Sequence, residues 1–455
     1  MTANTLAAGV LLVLTAQFTS AALETNRNIP YADAASVLHV LRDDLLPAEL
    51  QRQAPGQLES LWPGWVSRRD AEIRGRLTRG DEDSIVNFLL YGLTFTAQPR
   101  LTLGDTAPDP AALTAITNAR MEDMVSGAAS PGSNERLQFV HDTLARLAID
   151  PATPTGRVMA RDFLRRIVGE YVNEVHSLSG QAAARDGLDT FYQDRGLSSD
   201  TSILPNFAIE LALADMKAKG RFTAGRVRRV AIVGPGLDFA DKRDGFDFYP
   251  QQTIQPFAVI DSLVRLGLAT AADLHATTFD LSPRVNHHLE AARRRATSGE
   301  AYGLQLPRDT DVGWNPDLVA YWERLGDRIG AATKAMDAPA GAGRIQTRAV
   351  RIRPAVVMSI TPRDLNIVLQ RLEPLAANQR FDIIIATNML LYYDVFEQSL
   401  ALTNIARMLR PGGWFLTNNS VAGLPANPMS AAGQTDLVYS SRANSSDTVF
   451  WYQAR

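Results

Sequence analysis

Three stretches of the chain combine residue types and spacings that could bind a ligand and act on it. In the first, Val230-Ala231-Ile232-Val233 runs straight into Gly234-Pro235-Gly236. Glycine lets a backbone approach a ligand closely and adopt positive φ. A turn of this kind after the first strand of an α/β sheet is where a nucleotide-type cofactor is held; the same residues also make an ordinary tight turn. The dinucleotide form needs a third glycine three residues after the second, and Phe239 stands there, which counts against a nicotinamide cofactor. In the second stretch, Phe279-Asp280-Leu281-Ser282-Pro283 closes a short strand and opens a helix. An acidic residue at such a tip can accept both hydroxyls of a ribose, and Asp280 or Ser282 can equally cap the helix. In the third, Phe381-Asp382-Ile383-Ile384-Ile385-Ala386-Thr387-Asn388 reads as a central strand with a polar tip. The helix after Asp394 carries Leu402, Ile405 and Leu409 on one face and stops at Arg410-Pro411-Gly412-Gly413, before the strand Trp414-Thr417. Pro-Gly-Gly after a helix is a stop and a turn.

These stretches need a scaffold. From Arg226 onward, helical segments alternate with short apolar runs at Val227–Val233, Ala276–Phe279, Arg348–Val357, Phe381–Ala386 and Trp414–Thr417. That alternation predicts a doubly wound, mainly parallel sheet in the C-terminal half. Residues from about Pro30 to Lys219 instead carry apolar residues at helical spacing, as in Val37, Leu38, Leu41 and Leu45, and Asn134 stands where it could cap the helix bearing Leu137, Val140 and Leu144. The reading is a mostly α-helical domain over 24–220, followed by an α/β domain over 221–455. Residues 1–23 are a separate matter. Leu6–Leu23 is nearly all apolar or small and ends in Ser20-Ala21-Ala22, which resembles a secretory signal or an N-terminal anchor. No Lys or Arg precedes it, and it is short for a spanning helix. A buried or mis-started helix is the alternative.

Composition sets limits. The chain has 455 residues, 45% of them hydrophobic, enough for two or three domains with real cores. The net charge of -3 gives no signal for nucleic acid. With no cysteine, a thiol nucleophile, a disulfide framework and a thiolate metal site are excluded. Adjacent His287 and His288, with His275, form no metal-ligand pattern. Asp238, Asp241, Asp244 and Asp247 recur every third residue, which does not fit a calcium loop and reads as a solvated acidic loop. Forty-four residues separate Gly236 from Asp280, against about 20 in the usual unit. The surplus, 238–253, is rich in Asp, Phe and Tyr and reads as a lid, a substrate wall or a packed surface loop.

The order of these motifs resembles the class I S-adenosylmethionine-dependent methyltransferases over about Arg226 to Thr417. That superfamily has a glycine-rich turn, an acidic tip on the second strand, a Phe-Asp-hydrophobic-hydrophobic strand and a Leu-Arg/Lys-Pro-Gly-Gly turn. The segment Asn388-Met389-Leu390-Leu391-Tyr392-Tyr393-Asp394 is similar to one in chemotaxis receptor methyltransferases. The resemblance implies a Rossmann-like domain and S-adenosylmethionine as cofactor. Gly234, Pro235 and Gly236 would face its methionine part, Asp280 would bind the ribose and Asn388 would line the cleft. The acidic residue usual at the glycine turn is absent from Val233-Gly234-Pro235-Gly236, and Asp238 just after it would substitute.

Methyl transfer needs the acceptor held in line with the methyl carbon, and an oxygen or nitrogen acceptor can also need a base. Candidates are Tyr392, Tyr393, Asp394 and Asp247, the tyrosines being equally readable as core. The acceptor, a small molecule or a protein, is not identified by the sequence. The helical domain would select it, with Trp62, Trp65, Tyr171, His176, Phe191 and Tyr192 as contacts. Two other readings stand beside this one: a nicotinamide-dependent oxidoreductase, and a non-catalytic or exported protein that keeps the fold. A cytosolic cofactor implies a cytoplasmic enzyme, whereas a cleaved or anchoring segment 1–23 implies an exported or membrane-anchored one.

Overall fold

The computed structural model describes residues 24–455 apart from 42, 102–109, 182–191, 194, 240–245, 341, 425 and 442–444. The apolar segment 1–23, Phe191, Asp241, Asp244 and the side chain of His176 lie outside the described residues. The chain opens with β1 (Thr25–Asn28), α1 (Tyr31–Val40), α2 (Pro55–Tyr91), α3 (Pro110–Ala129), α4 (Glu135–Arg146), α5 (Pro154–Gln181) and α6 (Leu204–Ala218). Asn134 does cap α4: its side-chain oxygen accepts from the backbone N–H of Arg136 and Leu137, satisfying donors that have no partner within the helix.

The α/β part continues through β2 (Arg229–Val233), α7 (Gln255–Arg265), β3 (His275–Asp280), α8 (Pro283–Thr297), β4 (Tyr302–Asp309), α9 (Pro316–Arg324), β5 (Gly330–Thr333) and β6 (Ile345–Ile352). Then come α10 (Pro354–Met358), β7 (Ile360–Asp364), β8 (Gln370–Glu373), β9 (Phe381–Ala386), α11 (Val395–Met408), β10 (Leu409–Thr417), β11 (Met429–Val438) and β12 (Ser446–Ala454). The main sheet has the order β11-β12-β10-β9-β2-β3-β7. The pairs from β10 across to β7 are parallel, and β12 is antiparallel to both β10 and β11. The chain runs outward from β2 to β3 and β7, then returns to β9 and β10 on the other side. The order therefore reverses between β2 and β9, and a crevice outside the C-terminal ends of these strands is where such sheets bind ligands.

Both faces of the sheet are covered, so its central strands alternate between two cores. Val230 and Ile232 of β2 pack with α6, α7 and α8 on one side. Ala231 and Val233 pack on the other with Trp62, Trp65 and Val66 of α2 and with Phe396, Leu400 and Ile405 of α11. A third core joins the far half of α2 (Ile85 to Tyr91) to α3, α4 and α5 and takes in Phe239. Helix α2 thus serves two cores, its first half lying on the sheet and its second inside a helical bundle. At 37 residues and 1.5 Å per residue it is about 55 Å long.

Two expectations are corrected. Arg348–Val357 is not a strand of the parallel sheet. Its first part belongs to β6, the centre of a separate antiparallel sheet β4-β6-β5, and Pro354–Met358 is helical. The reason is visible in β6 itself: Val350 and Ile352 are buried while Arg351 between them is exposed, the alternation of a sheet with one wet face. The parallel sheet is instead completed by β7, which pairs with β3 from Ala276–Ile360 to Asp280–Asp364.

The described residues of the insertion, 238–239 and 246–253, do not form a solvated acidic loop either. Asp238 and Asp247 are buried, as are Phe239, Phe246 and Tyr249. Asp238 accepts from Tyr249 Oη at 2.7 Å and Gln252 Nε2 at 3.0 Å. Asp247 accepts from the backbone N–H of Leu93 and Thr94 and from Thr94 Oγ1. The buried guanidinium of Arg136 in α4 donates to the carbonyls of Asp238, Phe239, Asp247 and Tyr249. The insertion is a joint between the helical bundle and the sheet.

Candidate functional site

A cleft of about 480 Å³ opens at the reversal point between β2 and β9. Gly234, just past β2, and Thr387, Asn388 and Met389, just past β9, form its floor. Its walls come from α2 (Asp83, Asn87), from the polar run Arg195–Ser202 and from Asn206 of α6. A second, smaller space of about 30 Å³ adjoins it, lined by residues that include Gly234, Gly236, Asp280, Met389 and Tyr393. Ser198, Gly234 and Met389 border both.

The glycine turn is shaped by what crosses it. Gly234 and Gly236 have φ of 66° and 69°, where a β-carbon is strained. A β-carbon on Gly234 would lie 2.3 Å from Met389 Sδ, and one on Gly236 would lie 2.9 Å from the carbonyl oxygens of Ser199 and Asp200. The run through Ser199 therefore roofs the turn, and the Leu237 N–H donates to the Ser199 carbonyl at 2.6 Å. This roof is anchored on α2. Arg76 donates to the carbonyls of Tyr192 and Arg195, and Arg195 pairs with Asp83 at 3.2 Å and Glu174 at 3.4 Å.

Asp280 stands at the tip of β3, where the Ser282 N–H donates to it at 2.8 Å. Burial raises its carboxyl to about 6, opposed by hydrogen bonds from the Ser282 and Gly236 N–H groups and by the charge of Arg284. Ser282 occupies the N-cap position of α8 without a side-chain hydrogen bond, so Asp280 takes the helix-entry contact and also faces the small space. Asn388 has φ of 56°, an uncommon conformation that Asn tolerates better than most residues. Its N–H donates to Asn418 Oδ1 at 2.8 Å, which locks the tips of β9 and β10 together.

Tyr392, Tyr393 and Asp394 separate. Tyr392 lines the cleft and meets Tyr192 edge-on at 5.8 Å. Burial raises its hydroxyl to about 12, so at neutral pH it is a hydrogen-bond donor. Tyr393 is buried beneath the turn under the Arg76 guanidinium, and burial pushes its hydroxyl up further. Asp394 is the N-cap of α11 in a reciprocal capping box with Glu397. It lines neither space, and it is placed to hold the helix. Asp238 is likewise turned into the joint and away from the glycine turn's ligand side. Trp62 and Trp65 stack in the core under the sheet and Tyr171 lies in the bundle core, so of the expected aromatic contacts with described side chains, Tyr192 alone reaches the cleft.

Asp382 was legible as part of the Phe-Asp strand, but its work is structural. It accepts from the N–H groups of Arg228 and Arg229 at 2.7 and 3.0 Å and from Arg410, tying the entries of β2, β9 and β10. Asp382→Ala is expected to cost about 2–3 kcal/mol by orphaning these donors, read as a lower denaturant midpoint; an unchanged midpoint would contradict this. Asn87, Asp83, Asp200, Asn206 and Met389 escaped sequence reasoning. The one signal was the polar run Ser198-Ser199-Asp200-Thr201-Ser202 before α6.

Residues 321–417 match the family described as Methyltransferase domain. That stretch takes in β9, α11 and β10 and leaves the glycine turn and Asp280 outside it. No curated protein sequence matches the chain. Among solved structures, the N-methyltransferase NodS from Bradyrhizobium japonicum WM9 in complex with S-adenosyl-L-homocysteine is 12% identical, with 62% of this chain and 98% of that one covered at a TM-score of 0.27. The glycopeptide N-methyltransferase MtfA is 13% identical, covering 55% and 95% at 0.27. TrmN from Thermus thermophilus is 12% identical, covering 55% and 52% at 0.27. The sheet order and the family match define a Rossmann-like methyltransferase domain, of a class that uses S-adenosylmethionine. Among the described residues, no helix is long and apolar enough to cross a membrane.

Proposed function

We propose that the cleft at the β2/β9 reversal point is a methyl-transfer site, with the cofactor lying from Asp280 across Gly234-Pro235-Gly236 to Asn388 and the acceptor entering beneath α2 and α6. The observation that supports this best is that Gly234, Asp280 and Asn388, three motifs far apart in sequence, come together at the one crevice that sheets of this order offer. The residues fit such a group in kind. A carboxylate stands at the tip of the second strand, two glycines at positive φ approach it, and the cleft is of ligand size. Met389, whose side chain lies against Gly234, stands between the cleft and the space at Asp280, and as an unbranched side chain it has rotamers to adjust to a ligand there.

S-adenosylmethionine supplies a methyl carbon on a positively charged sulfur. The chain's own residues position, shield and discriminate. Asp280 accepts hydroxyl hydrogens, Tyr392 donates from the cleft wall, and the 195–202 run excludes water from above. The helical region 24–220 supplies the acceptor wall, and 221–455 supplies the cofactor wall. Tyr393 and Asp394 hold this arrangement from below.

The test is calorimetric titration of the full chain with S-adenosylmethionine, S-adenosylhomocysteine and NADH. Binding of the first two, lost in Asp280→Ala, is expected; binding of NADH alone would favour an oxidoreductase, and no binding a non-catalytic fold. A pH series sharpens it. Protonation removes acceptor capacity from Asp280, so cofactor affinity is expected to fall as pH drops through about 6. The same raised carboxyl binds its proton more tightly when folded than when unfolded. Its contribution to stability is therefore full below about 4 and declines as pH rises toward about 6. A cofactor affinity flat from pH 5 to 8 would remove Asp280 from the ribose.

A further inference from the structure

We infer that the acceptor is an aliphatic amine, bound as its ammonium and methylated on nitrogen. The inference rests on the methyl-transfer reading of the cleft and concerns the chemistry of its acceptor wall. Two side chains there are almost wholly buried and half satisfied. Asn87, 4% exposed, donates its Nδ2 to Asp200 at 3.3 Å, and its Oδ1 has no partner. Asn206, 2% exposed, donates its Nδ2 to the Ser202 carbonyl at 2.8 Å, and its Oδ1 has no partner. In both, the donor contact fixes which end of the amide is which, so the orphaned atoms are carbonyl oxygens. Both residues line the cleft.

A buried acceptor without a donor is costly unless a ligand supplies one. Two carboxylates, Asp83 and Asp200, line the same cleft, and Asp200 is the group to which Asn87 donates. The guanidinium of Arg195 is engaged by Asp83 and by Glu174, which leaves the wall acceptor-rich and net negative. A carboxylate or phosphate would be repelled by these two carboxylates. A hydroxyl offers one hydrogen. An ammonium offers up to three with a positive charge, enough for both orphaned oxygens and one carboxylate, and of the sign the two carboxylates favour.

The step balances without a further reactant. The bound ammonium releases one proton to water at the open mouth of the cleft. The freed nitrogen lone pair forms the N–C bond to the methyl carbon as the C–S bond breaks, its electron pair staying on sulfur. The products are the N-methylated ammonium and a neutral thioether, S-adenosylhomocysteine.

The experiment saturates the full chain with S-adenosylhomocysteine and titrates it calorimetrically with putrescine and spermidine, and separately with catechol and benzoate. The two amines are expected to bind and the two others not. Asn206→Leu is expected to weaken amine binding at least tenfold, while the near-isosteric Asn206→Asp, which keeps an acceptor in place, retains it. S-adenosylhomocysteine affinity is expected to be the same in all three proteins. Preference for catechol or benzoate, no amine binding at millimolar concentration, or equal amine binding in Asn206→Leu overturns the proposal. Loss of S-adenosylhomocysteine binding in Asn206→Leu also overturns it, by assigning these oxygens to the cofactor's own ammonium. Failure of wild type to bind S-adenosylhomocysteine at all is a different result and removes the methyl-transfer reading itself.

Discussion

Arg136→Met is expected to lower stability by about 3–5 kcal/mol, because a buried guanidinium that serves several carbonyls leaves each of them orphaned when it goes. Arg136 is 2% exposed and donates to Tyr249 O at 2.6 Å, Phe239 O at 2.7 Å, Asp247 O at 3.0 Å and Asp238 O at 3.3 Å. Its guanidinium also lies within 6.0 Å of the Phe239 and Tyr249 ring centroids. Methionine fills similar volume without donors, so the measured loss isolates the hydrogen bonds from the packing. Arg136→Lys is expected to recover only part of it, since an ammonium lacks the planar fork that reaches several carbonyls at once. Urea unfolding of the three proteins checks the order Arg, Lys, Met. A methionine variant within about 0.5 kcal/mol of wild type, the range of ordinary surface changes, would show that the joint does not depend on this residue.

The second large effect is expected at Gly80, on α2 and far from any motif. A β-carbon there would lie 1.9 Å from the Leu197 carbonyl oxygen and 2.6 Å from its carbon. The obstacle is backbone, so the 195–201 run must move bodily. Gly80→Ala is expected to destabilise the fold by about 1–3 kcal/mol, as overpacking does, despite the better helix propensity of alanine. It is also expected to lift the roof from Gly236, raising protease sensitivity between 192 and 202 and weakening cofactor binding tenfold or more. Limited proteolysis followed by calorimetry reads both. An alanine variant with wild-type cleavage and affinity would mean that the run is not held by this contact.

How much of this could be read from sequence depends on whether the cause is local. Phe381–Ala386 was legible because a strand buried on both faces must be mainly apolar, and all six of its residues are buried, Asp382 being the single polar one. The Asn134 cap was legible because a cap is a contact with the next few residues. The glycine turn and Asp280 were legible in type, but not that Met389 and Ser199 pack over them, since that depends on chain returning from elsewhere. Arg348–Val357 misled because a half-buried strand and a short helix together mimic a continuous apolar run. The carbonyl oxygens of Asn87 and Asn206 left no signature. An asparagine inside a helix carries no mark of whether its side chain faces solvent or a cleft.

The pairing of β1 with β8 sets an order of events in synthesis. Thr25 lies opposite Glu373 and Asn28 opposite Gln370, so the first described strand has no partner until some 340 residues later have left the ribosome. At roughly 5–20 residues per second, that is a wait of about 17 to 70 seconds. Through that interval Ile29, Val37, Trp62 and Trp65, which end against the sheet, have one another but no sheet to cover them. The far half of α2 can meanwhile settle with α3, α4 and α5, whose shared core is drawn almost entirely from residues 85–171. The nascent chain would thus carry a folded bundle tethered to an uncovered apolar arm, a species suited to holding by a chaperone and prone to association with its neighbours on the same message.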